Sequence, residues 1–331
     1  MIIVTGGAGF IGSNIVHALN LRGETDILIV DNLGKGDKYK NLIGLKFHDY
    51  IHMDEFLEKI QDGEYSFSDD IDVIFHEGAC SDTMEYDVDF MMKRNFAYSK
   101  AVLKFALDEE AGFIYASSAS TYGDGVNGFR EVEECESALN PYAFSKLMFD
   151  RYVRYVIDEL DTEFDFVPSI IGLRYFNVYG AQEQHKGRMA SIFYQMYQQV
   201  KNTGVIKLFK GSGGYDDGEQ RRDFISVDDV VKVNLWAYDD EEIKSGIYNC
   251  GTGKAHTFNE AAQAVINALG TGKIQYVDFP EGLKDKYQSF TQADTRNLIR
   301  AGYDGGFSDF NESVKNYCDF LDNGGFFLIK N

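Results

Sequence analysis

The stretch TGGAGFIG, Thr5 to Gly12, decides the fold. It follows the short apolar run MIIV and leads into FIGSNIVHALNL, in which apolar residues recur at helical spacing. This order predicts a buried strand, a glycine-rich turn and a helix. Gly6, Gly9 and Gly12 permit a tight turn and let backbone N–H groups reach a pyrophosphate at the helix N-terminus. The stretch therefore predicts a dinucleotide site.

The alternation of strand and helix continues beyond this stretch. The apolar runs DILIVD, DVIFHEGA, GFIYASS and SIIGLRYFN predict the next four strands, and a long helix is predicted from Phe90 to Asp108. Alternating strands and helices form βαβ units, and right-handed crossovers build them into a doubly wound parallel sheet. The predicted fold class is α/β of the Rossmann type, with ligand sites at the carboxyl ends of the strands.

The regular alternation loosens after Arg174. Residues 1–174 and about 224–252 are predicted to form the dinucleotide-binding domain. Residues 175–223 and 253–331 are predicted to form a smaller α/β substrate-binding domain, whose chain crosses back to the first domain.

Composition excludes several classes of protein. The 331 residues carry a net charge of −21, which argues against a nucleic-acid partner and against an anionic membrane surface. No apolar run reaches the length of about 18 residues that a membrane span needs, and the opening MIIVTGG has no basic leader. A cytoplasmic protein is expected. Its four cysteines form no CxxC pair, which predicts neither a metal site nor a disulfide framework; they are Cys80, Cys135, Cys250 and Cys318.

Asp31 ends the second predicted strand about 20 residues after the glycine stretch, where an acid can bind a ribose hydroxyl. That position alone favours NAD. Lys35, Lys38 and Lys40 follow closely, however, and any of them can pair with the 2′-phosphate of NADP. The residues themselves leave the two cofactors open.

A second set of residues indicates proton transfer. Ser118 follows the strand GFIYASS, and Tyr142 and Lys146 stand four apart on one face of a predicted helix. A phenol with a pKa near 10 is a poor base at neutral pH, but a neighbouring ammonium group stabilises its anion. We expect Lys146, together with the positive charge of the nicotinamide, to lower the pKa of Tyr142, and Ser118 to share a hydrogen bond with a substrate hydroxyl.

The motifs TGGAGFIG, HEGACS, ASSASTYG and YAFSK occur in an order that resembles the extended short-chain dehydrogenase/reductase superfamily, which acts on nucleotide-diphosphate sugars. Its sugar dehydratases carry Asp-Glu directly after the Ser/Thr, whereas Ala119 and Ser120 follow Ser118 here. That difference leaves epimerases and reductases. FHEGACSDTMEYD, RYFNVYGAQEQHKGRMAS, LFKGS and KYQSFTQAD are similar to the isomerases that invert C6″ of an ADP-linked heptose for the lipopolysaccharide core.

The resemblance implies a mechanism. NADP, rather than NAD, oxidises C6″ of the ADP-sugar transiently and then reduces the ketone from its other face. Tyr142 is implied as one acid/base and Lys186 as a second, since one group does not serve both geometries at the inverted carbon. Lys146 is implied as the partner of Tyr142, and Ser118 as the group that orients the substrate.

The resemblance also implies which residues bind each ligand. Those for the cofactor are Gly6, Gly9, Phe10, Ile11, Gly12, Asp31, Asn32, Lys38, Glu77, Gly78, Ala79, Cys80, Ser81, Asn95, Tyr142, Lys146, Val178 and Lys186. Those for the substrate are Ser118, Asn177, Arg188, Gln195, Phe209, Lys210, Gly211, Ser212, Arg222 and Tyr287. His185 is expected to have no catalytic role. The chain departs from the family pattern at Met53 and Arg94.

Two other functions remain to be separated from this one. The first is an epimerase or reductase that acts on another nucleotide sugar, such as a UDP-hexose 4-epimerase. The second is a non-catalytic NADP-sensing regulator, although such a protein tends to lose the Tyr-Lys pair. The resemblance further implies a homo-oligomer, with a pentamer suggested.

Overall fold

In the described part of the chain, the strands form one large parallel sheet and two smaller sheets. The structure is a computed structural model that describes residues 1–63, 70–163, 168–240, 242–280 and 288–328. The strands in these ranges are β1 (Ile2–Thr5), β2 (Ile27–Asp31), β3 (Asp49–His52), β4 (Val73–His76), β5 (Gly112–Ser118), β6 (Ile170–Tyr175), β7 (Asn177–Tyr179), β8 (Val205–Phe209), β9 (Arg221–Ser226), β10 (Gly246–Cys250), β11 (Ala255–Thr257) and β12 (Lys273–Val277).

Helices cover the sheets. Within the described ranges the α-helices are α1 (Phe10–Leu21), α2 (Met53–Asp62), α3 (Val88–Met91), α4 (Tyr98–Asp108), α5 (Pro141–Glu163), α6 (Ile192–Thr203), α7 (Val227–Asp239), α8 (Phe258–Leu269), α9 (Arg296–Arg300) and α10 (Phe310–Asp322). None of the described helices is both long and apolar enough to cross a membrane.

The described part of the central sheet has seven strands in the order β10-β6-β5-β4-β1-β2-β3, and every neighbouring pair is parallel. Successive residues of β1 face opposite sides: Ile2 and Val4 join one apolar cluster, and Ile3 joins the other. Helices pack on both faces, as near-continuous apolar strands require. The predicted doubly wound α/β fold is confirmed. Thr5 at the end of β1 lies beside Val30 and His76, so the carboxyl ends of neighbouring strands form one edge.

A separate apolar cluster lies away from the central sheet. It includes Phe193, Phe224 and Val265, and it packs between α6, α8 and α10. Two small sheets adjoin it, one ordered β11-β9-β7 and one formed by β12 and β8. Leu298 of α9, by contrast, is buried in a cluster of the central sheet. The division into two domains at the boundaries given above stays a prediction, which the separate cluster supports.

Two elements differ from the sequence pattern. Strand β3 was not predicted, because only Ile51 among its four residues is both apolar and buried. The predicted helix from Phe90 to Asp108 has a wide π-helical turn over Met92–Ala97, between α3 and α4. Such wide turns frequently occur at functional sites.

Candidate active site

A cavity of about 590 Å³ lies at the carboxyl edge of the central sheet. The structure brings most of the predicted catalytic and cofactor-binding residues to its walls. They are Gly6, Gly9, Phe10, Ile11, Gly12, Asp31, Asn32, Lys38, Glu77, Gly78, Ala79, Cys80, Ser81, Ser118, Tyr142, Lys146, Val178 and Lys186. The position at a sheet edge where several strands end is typical of ligand sites in this fold. We call this cavity the cleft.

The glycine-rich turn is closely packed. Gly6 has φ +68°, and a Cβ atom there would lie 2.7 Å from the amide nitrogen of Gly78, in the loop that follows β4. A Cβ atom on Gly12 would lie 2.3 Å from the carbonyl oxygen of Gly6. Glycine is therefore needed at both positions. The N-cap residue of α1 is Gly9, which offers no side-chain cap, so the first-turn N–H groups suit an anionic ligand.

The carboxylate of Asp31 is buried and fully engaged. It accepts hydrogen bonds from the amides of Ala8 at 2.8 Å and Asn32 at 2.6 Å. The ammonium group of Lys38 pairs with it at 2.5 Å. Asp31 thus ties the glycine-rich turn to the loop after β2, and Lys38 balances its charge.

Ser118, Tyr142 and Lys146 come together from two elements. Ser118 ends β5, whereas Tyr142 and Lys146 lie in the first turns of α5. The ammonium group of Lys146 is buried and donates to the carbonyl oxygen of Ala116 at 2.7 Å. Burial lowers the pKa of Lys146 to about 8, while the carboxylates of Glu77 and Asp150 act in the opposite direction.

The described side chains by themselves do not lower the pKa of Tyr142, and the lowering expected with the nicotinamide's charge stays a prediction. Burial of the phenol raises its pKa, and the hydrogen bond with Ser118 opposes that shift. Cys80 and Glu77 raise it further. Tyr142 therefore favours its protonated form, and the sequence spacing did not reveal how strongly burial acts on it.

Glu77 brings a second carboxyl group into the cleft. It accepts a hydrogen bond from the hydroxyl of Tyr175 at 2.7 Å. Burial raises the pKa of Glu77 to about 7, although Tyr175 and the nearby Lys146 both act to lower it. Near neutral pH this group exchanges a proton with little cost in free energy.

Lys186 reaches the same cleft from the short 3-10 helix Gln184–Met189. Its ammonium nitrogen lies 5.5 Å from the centre of the Phe10 ring, on the first turn of α1. Burial lowers the pKa of Lys186, and Glu183 opposes the shift. His185 also lines the cleft, which the sequence did not indicate, and burial lowers its pKa to about 4.

Asn95 does not line the cleft. It is fully buried behind the loop after β4, where its side chain accepts from the amide of Cys80 at 2.8 Å and donates to the Cys80 carbonyl at 3.0 Å. It also donates to Ser145 at 3.0 Å. Its neighbour Arg94 does line the cleft and donates to Asp54 at 2.6 Å. Asn95 supports the loop, and Arg94 faces the ligand space.

Most residues predicted for the substrate lie outside the walls of the cleft. They are Asn177, Arg188, Gln195, Phe209, Lys210, Gly211, Ser212 and Arg222, while Tyr287 lies outside the described residues. Arg188 is exposed and lies 3.8 Å from Asp82, directly after the predicted cofactor residue Ser81. Lys210 pairs with Asp278 at 3.0 Å, and Arg222 donates to the carbonyl of Arg221 at 2.9 Å. Their role in binding the substrate stays a prediction.

Several further residues line the cleft. Those that sequence reasoning did not assign a role are Val30, Met53, Phe90, Tyr98, Ala116, Ser117, Tyr175 and Phe176. Val30, Ala116 and Ser117 lie near the carboxyl ends of strands, and this position could have identified them. Phe90 and Tyr98 come from the helical segment that faces the sheet edge. The sequence of this segment does not distinguish an aromatic residue that lines the cleft from one that packs in the core.

The sequence matches a known family over most of its length. The match is to the NAD dependent epimerase/dehydratase family, and it extends over residues 2–251. The chain belongs to this family. The family description supports a nicotinamide dinucleotide as the cofactor.

Members of the epimerase/dehydratase family match almost the entire chain. ADP-L-glycero-D-manno-heptose-6-epimerases from Alkalilimnicola ehrlichii and Thiobacillus denitrificans are each 51% identical over 96% of this chain and cover 97% and 98% of their own length. The crystal structure of the Helicobacter pylori enzyme of that name has a TM-score of 0.81 at 30% identity, with 97% and 96% of the two chains covered. The predicted resemblance to nucleotide-sugar epimerases is confirmed.

Within the epimerase/dehydratase family, the residues after Ser118 favour the epimerases. Ala119 and Ser120 carry no carboxyl group, so the acid and base needed to eliminate water are missing at these positions. The hydroxyl and amide of Ser120 instead donate to the hydroxyl of Ser118, at 2.9 and 3.1 Å. The geometry suits proton transfer at a hydroxyl rather than elimination.

Proposed function

We propose that the chain is an ADP-L-glycero-D-manno-heptose 6-epimerase, which inverts C6″ of ADP-D-glycero-β-D-manno-heptose. The observation that carries this proposal is that two acid/base candidates, Tyr142 and Lys186, line one cleft from separate elements. Inversion presents the C6″ oxygen in two geometries, which two such groups can serve. The name shared by the three relatives supports the substrate.

The walls of the cleft fit a nicotinamide dinucleotide. The N-terminus of α1 suits the pyrophosphate, and Lys146 suits a ribose hydroxyl. We propose NADP rather than NAD, because Lys38 already neutralises the carboxylate of Asp31. Lys35 and Lys40 line an adjoining cavity of about 800 Å³ together with Lys38, which supplies positive charge for a 2′-phosphate.

When bound, the nicotinamide supplies a hydride acceptor at C6″ and then a hydride donor to the other face of the same carbon. The protein has to move one proton in each half-reaction. The lowered pKa of Lys186 makes its neutral amine, which can accept a proton, more accessible than in an ordinary lysine, and the raised pKa of Tyr142 favours the phenol, which can donate one. Ser118 bonds to Tyr142 and orients the substrate hydroxyl beside it.

The test follows epimerisation of the ADP-heptose by NMR at C6″ and identifies the nucleotide released from the denatured protein. We expect turnover of ADP-heptose with bound NADP, and none of UDP-glucose. Tyr142→Phe and Lys186→Met should each lower kcat by about a hundredfold or more while the nucleotide remains bound. Lys201→Met, on the exposed end of α6, is the matched control and should retain activity. Full activity of Lys186→Met contradicts the role of Lys186 as a second acid/base. Turnover of UDP-glucose but not of ADP-heptose contradicts the proposed substrate.

We place the reaction in the supply of heptose for the lipopolysaccharide core, and the enzyme in the cytoplasm, where nucleotide sugars are made. We also propose a homo-oligomer, with a pentamer as the first expectation. Met84, Tyr86 and Val88 support it, because these neighbouring apolar side chains are exposed in the single chain. Light scattering of the purified protein measures the oligomeric state.

A further inference from the structure

Lys186 lies in residues 180–191, which we call the lysine loop. The base of this loop is closed by the buried carboxylate of Glu183. That carboxylate accepts from the amide of Ser191 at 2.5 Å, from the Ser191 hydroxyl at 2.7 Å and from the hydroxyl of Tyr317 at 2.7 Å. Glu183 also accepts from the amide of Gly180 at 3.3 Å, so it joins both ends of the loop to α10, but it does not determine how the loop meets the glycine-rich turn.

Two buried asparagine side chains join the loop to that turn. The first is Asn14 on α1, which is 4% exposed. Its amide nitrogen donates to the carbonyl of Phe10 at 2.8 Å and to the carbonyl of Ala181 at 2.9 Å. One N–H is therefore used on the helix that follows the glycine-rich turn, and the other on the lysine loop.

The second is Asn41, which is fully buried in the loop after β2. Its amide nitrogen lies 3.0 Å from the carbonyl oxygens of both Ala8 and Gln182, and 3.2 Å from Nδ1 of His185. An amide has only two N–H groups. Since Nδ1 of His185 is itself 3.1 Å from the Gln182 carbonyl, we assign that ring nitrogen as a donor to Gln182. The two N–H groups of Asn41 then go to Ala8 and Gln182.

We propose that Asn14 and Asn41 are positioning residues, which hold the lysine loop against the glycine-rich turn and thereby fix Lys186 beside Phe10. Each side chain donates one N–H to a backbone carbonyl on each side of the junction. Both contacts of Asn41 are buried, whereas the contact of Asn14 with Ala181 is partly buried. Removing the amide of Asn41 leaves the buried Ala8 carbonyl without this donor and the Gln182 carbonyl with His185 alone, so this side chain no longer joins the loop to the turn. The proposal rests on the proposed function, in which Lys186 transfers a proton.

The first test is a double-mutant cycle in the full-length protein. Asn41→Ala should lower kcat for epimerisation about tenfold, yet add little loss in the background of Lys186→Met, because it acts through that lysine. Asn20→Ala is the matched control: Asn20 also donates to two backbone carbonyls, those of Glu24 and Lys46 at 2.8 Å, but away from the lysine loop. It should leave kcat unchanged. If Asn41→Ala lowers kcat by the same factor in the wild type and in Lys186→Met, the proposal is wrong.

The second test needs no substrate. The rate at which acetic anhydride modifies Lys186 is measured by mass spectrometry across a range of pH, in the wild type and in Asn41→Ala. We expect Lys186 to be modified faster in the variant, and the pH midpoint of its modification to move up toward that of an ordinary lysine. The modification profile of Lys146 should not change. An unchanged Lys186 profile overturns the proposal even if kcat falls.

The two failures are distinguishable. If the wild type does not epimerise ADP-heptose, the proposed function fails, and the modification profile still decides the positioning role. If Asn41→Ala does not fold, Asn14→Ala replaces it, because it removes the side-chain contacts with Phe10 and Ala181 and leaves the contacts of Asn41 in place. The pH profile of Lys186 modification then tests the positioning role in Asn14→Ala, with a smaller expected change than in Asn41→Ala.

Discussion

At the scale of single residues, the carboxyl group of Glu77 connects pH to stability. Its oxygen accepts from Tyr175, and Lys146 lies nearby, yet burial dominates and raises the pKa to about 7. An unfolded chain titrates this group near 4.5. Between those two values the folded protein keeps a proton that the unfolded chain has lost, so stability falls as pH rises through this window.

We therefore expect the free energy of unfolding of Glu77→Gln, relative to that of the wild type, to increase by ~3 kcal/mol as pH rises from about 4.5 to about 7. Urea denaturation at several pH values measures the difference. Tyr175→Phe is the companion variant: losing its hydrogen bond should raise the pKa of Glu77 further and extend the window upward. Stability curves for Glu77→Gln and wild type that stay parallel across this range contradict the prediction.

Residue spacing showed only part of the site. Ser118, Tyr142 and Lys146 were predictable, since a strand end and an i,i+4 pair bring them to one edge. Burial of Tyr142 was not predictable, because it depends on packing from several elements. The roles of Asn14 and Asn41 were also hidden, since nothing local distinguishes an asparagine that bridges two distant carbonyls from one in an ordinary turn.

At the scale of elements, a buried ion network joins β6, β5 and α5 beneath the catalytic residues. Arg174 in β6 donates to Asp150 on α5 at 2.8 Å and to Glu136 at 2.6 Å, and all three side chains are fully buried. The hydroxyls of Tyr115 and Ser117 on β5 donate to Asp150 as well. Asp150 lies one turn after Lys146, so the network holds the helix that carries the catalytic pair.

Arg174→Met should destabilise the protein by about 3–5 kcal/mol, because it leaves the buried carboxylate of Asp150 without its cation, whereas Glu136 keeps Arg154 at 2.6 Å. Arg22→Met is the matched control, since Arg22 pairs with Asp239 at 2.8 Å on the surface, where such a pair contributes about 1 kcal/mol or less. Urea denaturation measures both. If the two variants lose similar amounts of unfolding free energy, the buried network has no special role in stability.

Elements were predictable where the pattern was strong. Strands β1, β2, β4, β5 and β6 are apolar runs between helices, and each was found. Strand β3 escaped notice because an edge strand with one buried apolar residue has no pattern of its own. The π-helical turn over Met92–Ala97 was not predictable either. Its residue Asn95 bonds to Cys80, which lies 15 residues away, and local sequence does not indicate such a contact.

At the scale of the whole molecule, the order of strands and helices was enough to give the central sheet. The smaller sheets were not predictable, because the sequence after Arg174 has no regular alternation of strands and helices that indicates which strands are neighbours. Strand β7 pairs with β9, and β8 pairs with β12, across connections that contain helices. Local propensity does not report such pairings.

The charge of the whole molecule leads to the last prediction. The chain has 53 acidic and 32 basic residues, and a net charge of −21 destabilises a compact state through self-repulsion. Raising the ionic strength from about 0.01 to about 0.15 M shortens the Debye length from roughly 30 to 8 Å, so Tm should rise. Glu58→Lys, at an exposed position on α2, makes the charge less negative and should flatten this dependence, whereas Lys254→Glu should steepen it. Calorimetry measures all three proteins; a Tm that is constant or falls with added NaCl means that local ion pairs outweigh the net charge.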